Sequence, residues 1–228
     1  MKQLALGVKF RDDADFDSFV IGANAELVAV LRAATAPLLW LWGSPGSGKT
    51  HLLQAACVAA GAGVAYLPLA RDAGLTADAL AGFETAGVLC IDDADAVAGD
   101  PAWERALFGL FNASVELGTR LIVAAAAAPR SLPWVLQDWR SRAAACAVYH
   151  VRELDESGRV EVLRRRARRR GLELPVETAE YLMKRTTRDL CSLLAVLDAL
   201  DDASLAAQRR LTLPFIRAAL EKSGDKPP

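Results

Sequence analysis

Residues 43–50 have the types and spacing needed to bind a polyphosphate. They match the pattern G-x-x-x-x-G-K-[ST], whose glycines let several backbone N–H groups point at one place. Lys49 would add a cation for the outer phosphates, and the Thr50 hydroxyl would bind Mg²⁺. An apolar run before the loop and a helical pattern after it favour this interpretation over a chance glycine-rich turn. The predicted phosphate-binding residues are Gly43, Ser44, Pro45, Gly46, Ser47, Gly48, Lys49 and Thr50.

A second acidic motif ends another apolar run, at residues 88–93. Its first carboxylate, Asp92, would join Thr50 in holding Mg²⁺, and Asp93 could orient or deprotonate a water molecule. The end of the next apolar run, residues 124–128, consists of alanines, whose side chains form no hydrogen bonds. The sequence therefore predicts nucleotide binding with weak or no hydrolysis by the chain itself.

The elements that must position these residues alternate between strands and helices. Continuous apolar runs are typical of parallel strands covered on both faces. The predicted strands are 38–42, 64–69, 88–92, 121–126 and 147–151, and the predicted helices before residue 154 are 25–34, 51–60, 76–84, 102–117 and 138–144. Beyond residue 154 only helices are predicted, at 155–170, 176–185, 189–202 and 214–222.

This alternation predicts an α/β fold with a five-stranded parallel sheet, followed by a small helical domain. The predicted organisation has three parts: a flexible tail at 1–15, a nucleotide-binding domain at 16–154 and a helical lid domain at 155–224. The length of 228 residues and the 53% hydrophobic content are sufficient for both cores.

Composition excludes several classes of protein. The net charge is −1, so no global positive field attracts nucleic acid. The four cysteines are far apart in sequence, which argues against a metal cluster and favours reduced thiols and a cytoplasmic location. No secretory signal is evident, and the apolar run 121–128 is too short to span a membrane, so no membrane contact is expected.

The motifs together resemble those of AAA+ proteins of the DnaA branch. Besides the phosphate loop, the matching segments are Phe16-x-x-Phe19-x-x-Gly22-x-Asn24, Ile91-Asp-Asp93, Ser141-Arg142 and Arg188-Asp-Leu190. The resemblance implies the AAA+ P-loop fold with a helical lid, and it covers most of the chain. It also implies that Arg142 is an arginine finger acting in trans on a neighbour's nucleotide, with Arg140 a weaker candidate. Arg188 would contact the chain's own nucleotide from the lid.

The N-terminal residues resemble the short peptide that docks on the β sliding clamp of DNA polymerase III. An extended peptide suffices for such docking, because a glutamine binds at a pocket rim and leucines fill an apolar groove. The residues concerned are Gln3, Leu4, Ala5, Leu6, Gly7 and Val8. A tail without a partner is the alternative interpretation.

The sequence ends after the predicted lid, whereas DnaA continues into a helix-turn-helix domain. The resemblance therefore implies a regulatory member of the branch. Such an adapter binds ADP or ATP with Mg²⁺, contacts DNA indirectly through the clamp, and stimulates ATP hydrolysis by DnaA, which limits re-initiation of replication.

One alternative is an independent ATPase similar to DnaA or to a helicase loader. Another is a DNA-tethering module that uses the arginines of residues 164–170. A homo-oligomer is also compatible with the family.

Overall fold

The computed structural model of the chain describes residues 14–70, 74–185 and 190–207, apart from the side chains of residues 191 and 202–207. These residues form two compact units that divide between Glu153 and Leu154. The predicted clamp-binding residues, the predicted helix 214–222 and Arg188 lie outside the described residues. Ala14 is buried, and the Asp15 carbonyl oxygen lies 2.9 Å from His51 Nε2.

The first unit contains the predicted five-stranded parallel sheet. Its strands are β1 (Leu38–Trp42), β2 (Val64–Pro68), β3 (Val88–Asp92), β4 (Arg120–Ala125) and β5 (Ala147–His150). The strand order is β2-β3-β4-β1-β5, and all neighbouring strands pair in parallel. Because β1 lies in the interior, Leu39, Trp40 and Leu41 have no exposed surface. The observed strand ends differ from the predicted ones by at most one residue.

Apolar cores cover both faces of this sheet. One core contains Trp40, Leu121, Trp134 and Trp139, and the other contains Leu41, Leu52, Cys90 and Ile122, among other buried residues. Adjacent strand residues alternate between these cores, which explains why the strands are continuous apolar runs and not alternating patterns.

Four helices surround the sheet: α1 (Ala25–Ala33), α2 (Lys49–Ala60), α3 (Pro101–Leu117) and α4 (Gln137–Ala144). At the start of α3, the Asp100 side chain accepts hydrogen bonds from the N–H groups of Ala102 and Trp103. Gly118 ends α3 in a left-handed conformation with φ 72°.

The predicted helix 76–84 is wrong. The structure has two short 3-10 turns there, Ala77–Leu80 and Phe83–Thr85. Gly82 lies between them with φ 98°, a left-handed conformation that a continuous right-handed helix cannot contain. Leu80 and Phe83 are both buried, so burial of apolar residues, not helical continuity, determines this segment.

The second unit consists of α5 (Glu156–Arg169), α6 (Val176–Arg185) and α7 (Leu190–Ala207) in its described part. The Asp155 side chain caps α5 by accepting from the Gly158 N–H at 2.7 Å. These helices share a core that includes Leu163, Ala167, Leu182 and Leu197. No helix in the described ranges is long and apolar enough to cross a membrane.

Candidate functional site

The predicted phosphate loop connects β1 to the start of α2. At two positions of the loop only glycine fits, because neighbouring atoms leave no room for a Cβ atom. A Cβ at Gly43 would lie 2.6 Å from the Val151 carbonyl oxygen, and one at Gly48 would lie 2.8 Å from the Phe19 ring. Gly48 also has φ 100°, which other residues rarely adopt. The loop is therefore held closely by the exit of β5 on one side and by the Phe19 ring on the other.

The polar groups of this loop fit a polyphosphate. Lys49 donates from Nζ to the Gly43 and Ser44 carbonyl oxygens, at 2.7 and 3.0 Å, which keeps its cation at the loop. The Ser47 hydroxyl is buried and has no hydrogen-bond partner among the residues that the structure describes. The backbone N–H groups of the first turn of α2 point toward the same loop. Phosphate oxygens would accept hydrogen bonds from this hydroxyl and from these amides, and they would form an ion pair with Lys49.

Asp92 lies at the carboxyl end of β3, on the same sheet edge as the phosphate loop, since all the strands are parallel. Its carboxylate is buried and accepts from the Tyr66 hydroxyl at 2.6 Å and from the Asp93 N–H at 3.1 Å. Burial and the Asp92 charge raise the pKa of the Tyr66 phenol, which therefore remains a donor. Thr50 is half-buried in the first turn of α2.

Asp93 leaves the strand in a left-handed conformation with φ 54°. The bend begins the 3-10 turn Ala94–Val97 and places Asp95 near the end of β4. There the Asp95 carboxylate accepts from the Ala126 N–H at 2.8 Å. Sequence analysis missed Asp95, although its position just after the acidic pair in Asp-Asp-Ala-Asp was a usable signal.

Tyr66 was also missed. A tyrosine buried inside an apolar strand needs a hydrogen-bond partner for its hydroxyl. That requirement could have indicated that Tyr66 contacts a polar residue. The register pairs Pro68 with Asp92, so the Tyr66 side chain lies two residues before that position on the neighbouring strand.

The segment predicted to open the core supports the phosphate loop. The Phe19 ring contacts Gly48 and lies 5.6 Å from the His51 ring, centroid to centroid. His51 Nε2 lies 3.1 Å from the Ser18 hydroxyl and 2.9 Å from the Asp15 carbonyl oxygen. Asn24 is buried and exchanges two hydrogen bonds with the Arg152 backbone. His51 therefore links the first turn of α2 to the segment 15–19, and these contacts give it a structural role.

The other histidine, His150, stacks on Trp42 with a centroid separation of 4.0 Å and an interplanar angle of 15°. The sequence did not indicate this partner, because the two residues meet through the pairing of β1 with β5.

The predicted finger, Arg142, and the weaker candidate, Arg140, are both exposed on α4. The helix is fixed by the side chains of Trp139 and Ala143, which are almost fully buried. The Trp139 ring meets Phe111 and Trp134 edge to face. The two arginines lie on different surfaces of the helix, since Arg140 lines a surface depression together with Arg130 and Gln137, and Arg142 does not.

The arginine run of the second unit is largely paired within that unit. Arg166 forms two hydrogen bonds with the Asp198 carboxylate, both at 3.0 Å. Arg170 bonds to Asp198 at 3.0 Å and to Asp201 at 3.1 Å. Arg165 pairs with Glu161 at 2.7 Å. The pairs with Asp198 and Asp201 join α5 and its C-terminal cap to α7, whereas the pair of Arg165 with Glu161 lies within α5. All of these pairs reduce the positive charge available to DNA.

Three cysteines with described side chains, Cys57, Cys90 and Cys146, are free and buried. Burial raises the pKa of the Cys146 thiol to about 12. The Cys146 thiol is therefore protonated at neutral pH and behaves as a small apolar side chain.

Comparison with known proteins identifies the fold and one domain. Residues 155–220 match the family model described as "Hda, lid domain". Domain III of the Thermotoga maritima replication initiation protein DnaA superimposes with a TM-score of 0.77 at 19% identity, over 93% of this chain and 97% of that one. AMPPCP-bound DnaA from Aquifex aeolicus gives 0.68 at 23% identity, over 83% and 65%. The Thermotoga maritima RuvB Holliday junction branch migration motor gives 0.62 at 19%, over 85% and 64%. The first unit has the predicted AAA+ P-loop fold, and residues 155–220 are similar to the matched lid domain.

Proposed function

On the premise that this chain is a DnaA-related AAA+ protein with an Hda lid domain, we propose that it is a regulatory adapter. It binds adenine nucleotide, docks on the β sliding clamp and stimulates ATP hydrolysis by DnaA, which limits re-initiation of replication in the cytoplasm. The observation that carries the proposal is Arg142, an exposed arginine on a helix that the buried side chain of Trp139 anchors to the apolar core.

Nucleotide binding is supported by the residues of the phosphate loop. Lys49, the Ser47 hydroxyl and the N-terminal amides of α2 would hold the phosphates. Thr50 and Asp92 would hold Mg²⁺, and Arg188 would contact the nucleotide from the lid. A bound Mg²⁺ neutralises phosphate charge and fixes the phosphate conformation. Two of the similar DnaA structures contain AMPPCP, an ATP analogue, which favours an adenine nucleotide, ADP or ATP, here.

The chain itself is proposed to hydrolyse ATP slowly. Asp93 could act as a base, but Ala124 and Ala125 offer no polar side chain at the end of β4. A carboxylate beside that end, Asp95, already accepts from the Ala126 N–H. A guanidinium supplied in trans acts differently, since it stabilises the charge that develops on the transferred phosphoryl group of the partner.

The test is hydrolysis of DnaA-bound ATP in the presence of clamp-loaded DNA. Arg142→Ala should lower the stimulated rate by a factor of about 10³ or more, as loss of an arginine finger does elsewhere. Arg140→Ala is the matched control, because it removes an exposed arginine from the same helix, and it should retain most of the stimulation. Full stimulation by Arg142→Ala would refute the proposal.

Clamp docking is tested separately, because its residues lie in the N-terminal tail. The double variant Gln3→Ala/Leu4→Ala should no longer be retained by immobilised clamp, and it should stimulate DnaA only at much higher concentration. Unchanged retention would show that the clamp does not bind at this segment.

An independent ATPase is the alternative function, and the complete Gly43–Thr50 loop together with Asp92 and Asp93 favours it. Turnover by the isolated chain distinguishes the two functions. Fast hydrolysis that Arg142→Ala leaves unchanged would support the alternative and contradict the adapter.

A further inference from the structure

A buried carboxylate in α3 has no part in the nucleotide chemistry described above. Glu104 lies in the first turn of α3 and has no exposed surface. It belongs to the segment Ala98-Gly-Asp-x-x-Trp-Glu104, to which the sequence assigns no function. Burial of an ionised carboxylate is costly unless hydrogen-bond donors surround it, so its partners indicate what it organises.

The hydrogen bonds described for Glu104 all come from backbone amides. Oε1 accepts from Gly99 at 2.8 Å and from Val135 at 3.1 Å. Oε2 accepts from Val135 at 3.0 Å and from Leu136 at 2.6 Å. Bonds of this kind, to an ionised acceptor, are stronger than bonds between neutral groups.

Two of these amides belong to the residues that begin α4. Leu136 is the N-cap residue of α4, and its own side chain forms no cap. The carboxylate of Glu104 therefore holds the start of α4 from a neighbouring helix. The same carboxylate also bonds to Gly99, and it thereby joins the start of α4 to the loop between the acidic end of β3 and α3.

The position of Arg142 depends on that attachment. The supports of the eight-residue helix α4 include its start at Glu104 and the buried side chains of Trp139 and Ala143. Trp139 and Ala143 fix how deeply the helix packs. The bonds to Val135 and Leu136 hold the residues at its start in place. Arg142 lies six residues beyond Leu136 on this helix.

We propose that Glu104 is a positioning residue for Arg142: its buried carboxylate fixes the start of α4 and thereby the place from which the Arg142 guanidinium reaches the partner's nucleotide. The inference rests on the proposed function of Arg142. A misplacement of about 1 Å at a reacting centre can reduce a rate about 10²-fold, so loss of this attachment affects the rate more than binding.

The variant Glu104→Gln tests this with little change in shape. A glutamine has one acceptor oxygen, so its NH₂ group must face either Gly99 or Leu136, and one amide loses its partner. Glu116→Gln is the matched control, because Glu116 is exposed on the same helix and the charge change is identical. Glu104→Asp keeps the charge and shortens the side chain, and it serves as the second variant if Glu104→Gln does not fold.

The measurements are the maximal stimulation of DnaA-ATP hydrolysis, the concentration that gives half of it, and ADP affinity. We expect Glu104→Gln to lower the maximum about 10- to 100-fold, with half-maximal concentration and ADP affinity within about threefold of the wild type. Glu104→Asp should lower the maximum as well, and Glu116→Gln should change none of the three quantities. Amide hydrogen exchange should accelerate in residues 133–140 and stay unchanged in α2.

The outcomes separate the inference from the proposed function. If Arg142→Ala loses stimulation while Glu104→Gln and Glu104→Asp retain it, the inference is wrong and the proposed function stands. A parallel loss of ADP affinity and stimulation in the Glu104 variants would show a general structural role and also overturn the inference. If Arg142→Ala retains full stimulation, the proposed function itself fails.

Discussion

Tyr66 and Asp92 form a buried pair at the edge of the sheet that carries the phosphate loop. The phenol donates to one oxygen of the carboxylate proposed to hold Mg²⁺, and the Asp93 N–H donates to the other. Each oxygen has a second lone pair, so a metal ion and these donors can share the carboxylate. Tyr66 thus maintains the orientation of Asp92 whether or not a cation is bound.

Tyr66→Phe should therefore lower the free energy of unfolding by about 1–3 kcal/mol, because a buried carboxylate oxygen loses its donor. Binding of Mg²⁺ with nucleotide should restore part of this loss, since the cation then interacts with the same oxygen. Urea unfolding with and without MgADP measures both effects. Tyr149→Phe, in β5, is the control and should show neither. An equal loss with and without MgADP would contradict a link between Tyr66 and the metal site.

At the scale of the element, the ion pairs between α5 and α7 determine how the lid helices stay together. Asp198 is the shared partner of Arg166 and Arg170, and all three side chains are partly shielded from solvent. A network of this kind contributes more than isolated exposed pairs, which are worth about 0.2–1 kcal/mol each.

Asp198→Asn should lower the thermal stability of the lid by about 1 kcal/mol, because two arginines lose a charged partner. It should also increase salt-sensitive binding of the chain to DNA without clamp, since those arginines become available to phosphates. Differential scanning calorimetry and DNA titration at two salt concentrations measure these effects. Glu180→Gln removes an exposed carboxylate from the same unit and should change neither property. Strong clamp-independent DNA binding by the wild type would instead favour the tethering alternative.

The helices and strands could be predicted well where the local sequence pattern determines them. Strands β1 and β3 are apolar runs that no helix pattern explains, and α3 carries its own start and stop in Asp100 and Gly118. The segment 76–84 could not be predicted, because the break at Gly82 depends on where Leu80 and Phe83 find their core. The roles of Tyr66, Asp95 and Glu104 depend on pairing between distant segments, which local patterns do not encode.

At the scale of the whole molecule, the phosphate loop should couple nucleotide binding to stability. A ligand present at 100 times its dissociation constant, and bound only by the folded state, stabilises a protein by about 2.7 kcal/mol. The loop is held by Val151 and Phe19 in the folded chain, so the unfolded chain has no such site.

MgADP at that excess should therefore raise the melting temperature of the wild type by about 5–10 °C. Lys49→Ala should abolish the increase, because the cation at the loop is lost. Lys184→Ala, an exposed lysine in the second unit, should leave the increase intact. Thermal melts over a range of MgADP concentrations test this prediction. An unchanged increase in Lys49→Ala would show that nucleotide binds elsewhere.

The aromatic packing beneath α4 has an optical consequence. Trp40, Trp134 and Trp139 meet edge to face at centroid distances of 6.2 and 5.7 Å. Indole rings this close exchange excitation energy, and their emission depends on their separation and hydration. Trp139 belongs to the helix that carries Arg142, so any displacement of that helix changes the ultraviolet fluorescence of the native chain. The protein contains its own unlabelled reporter of the state of its arginine helix.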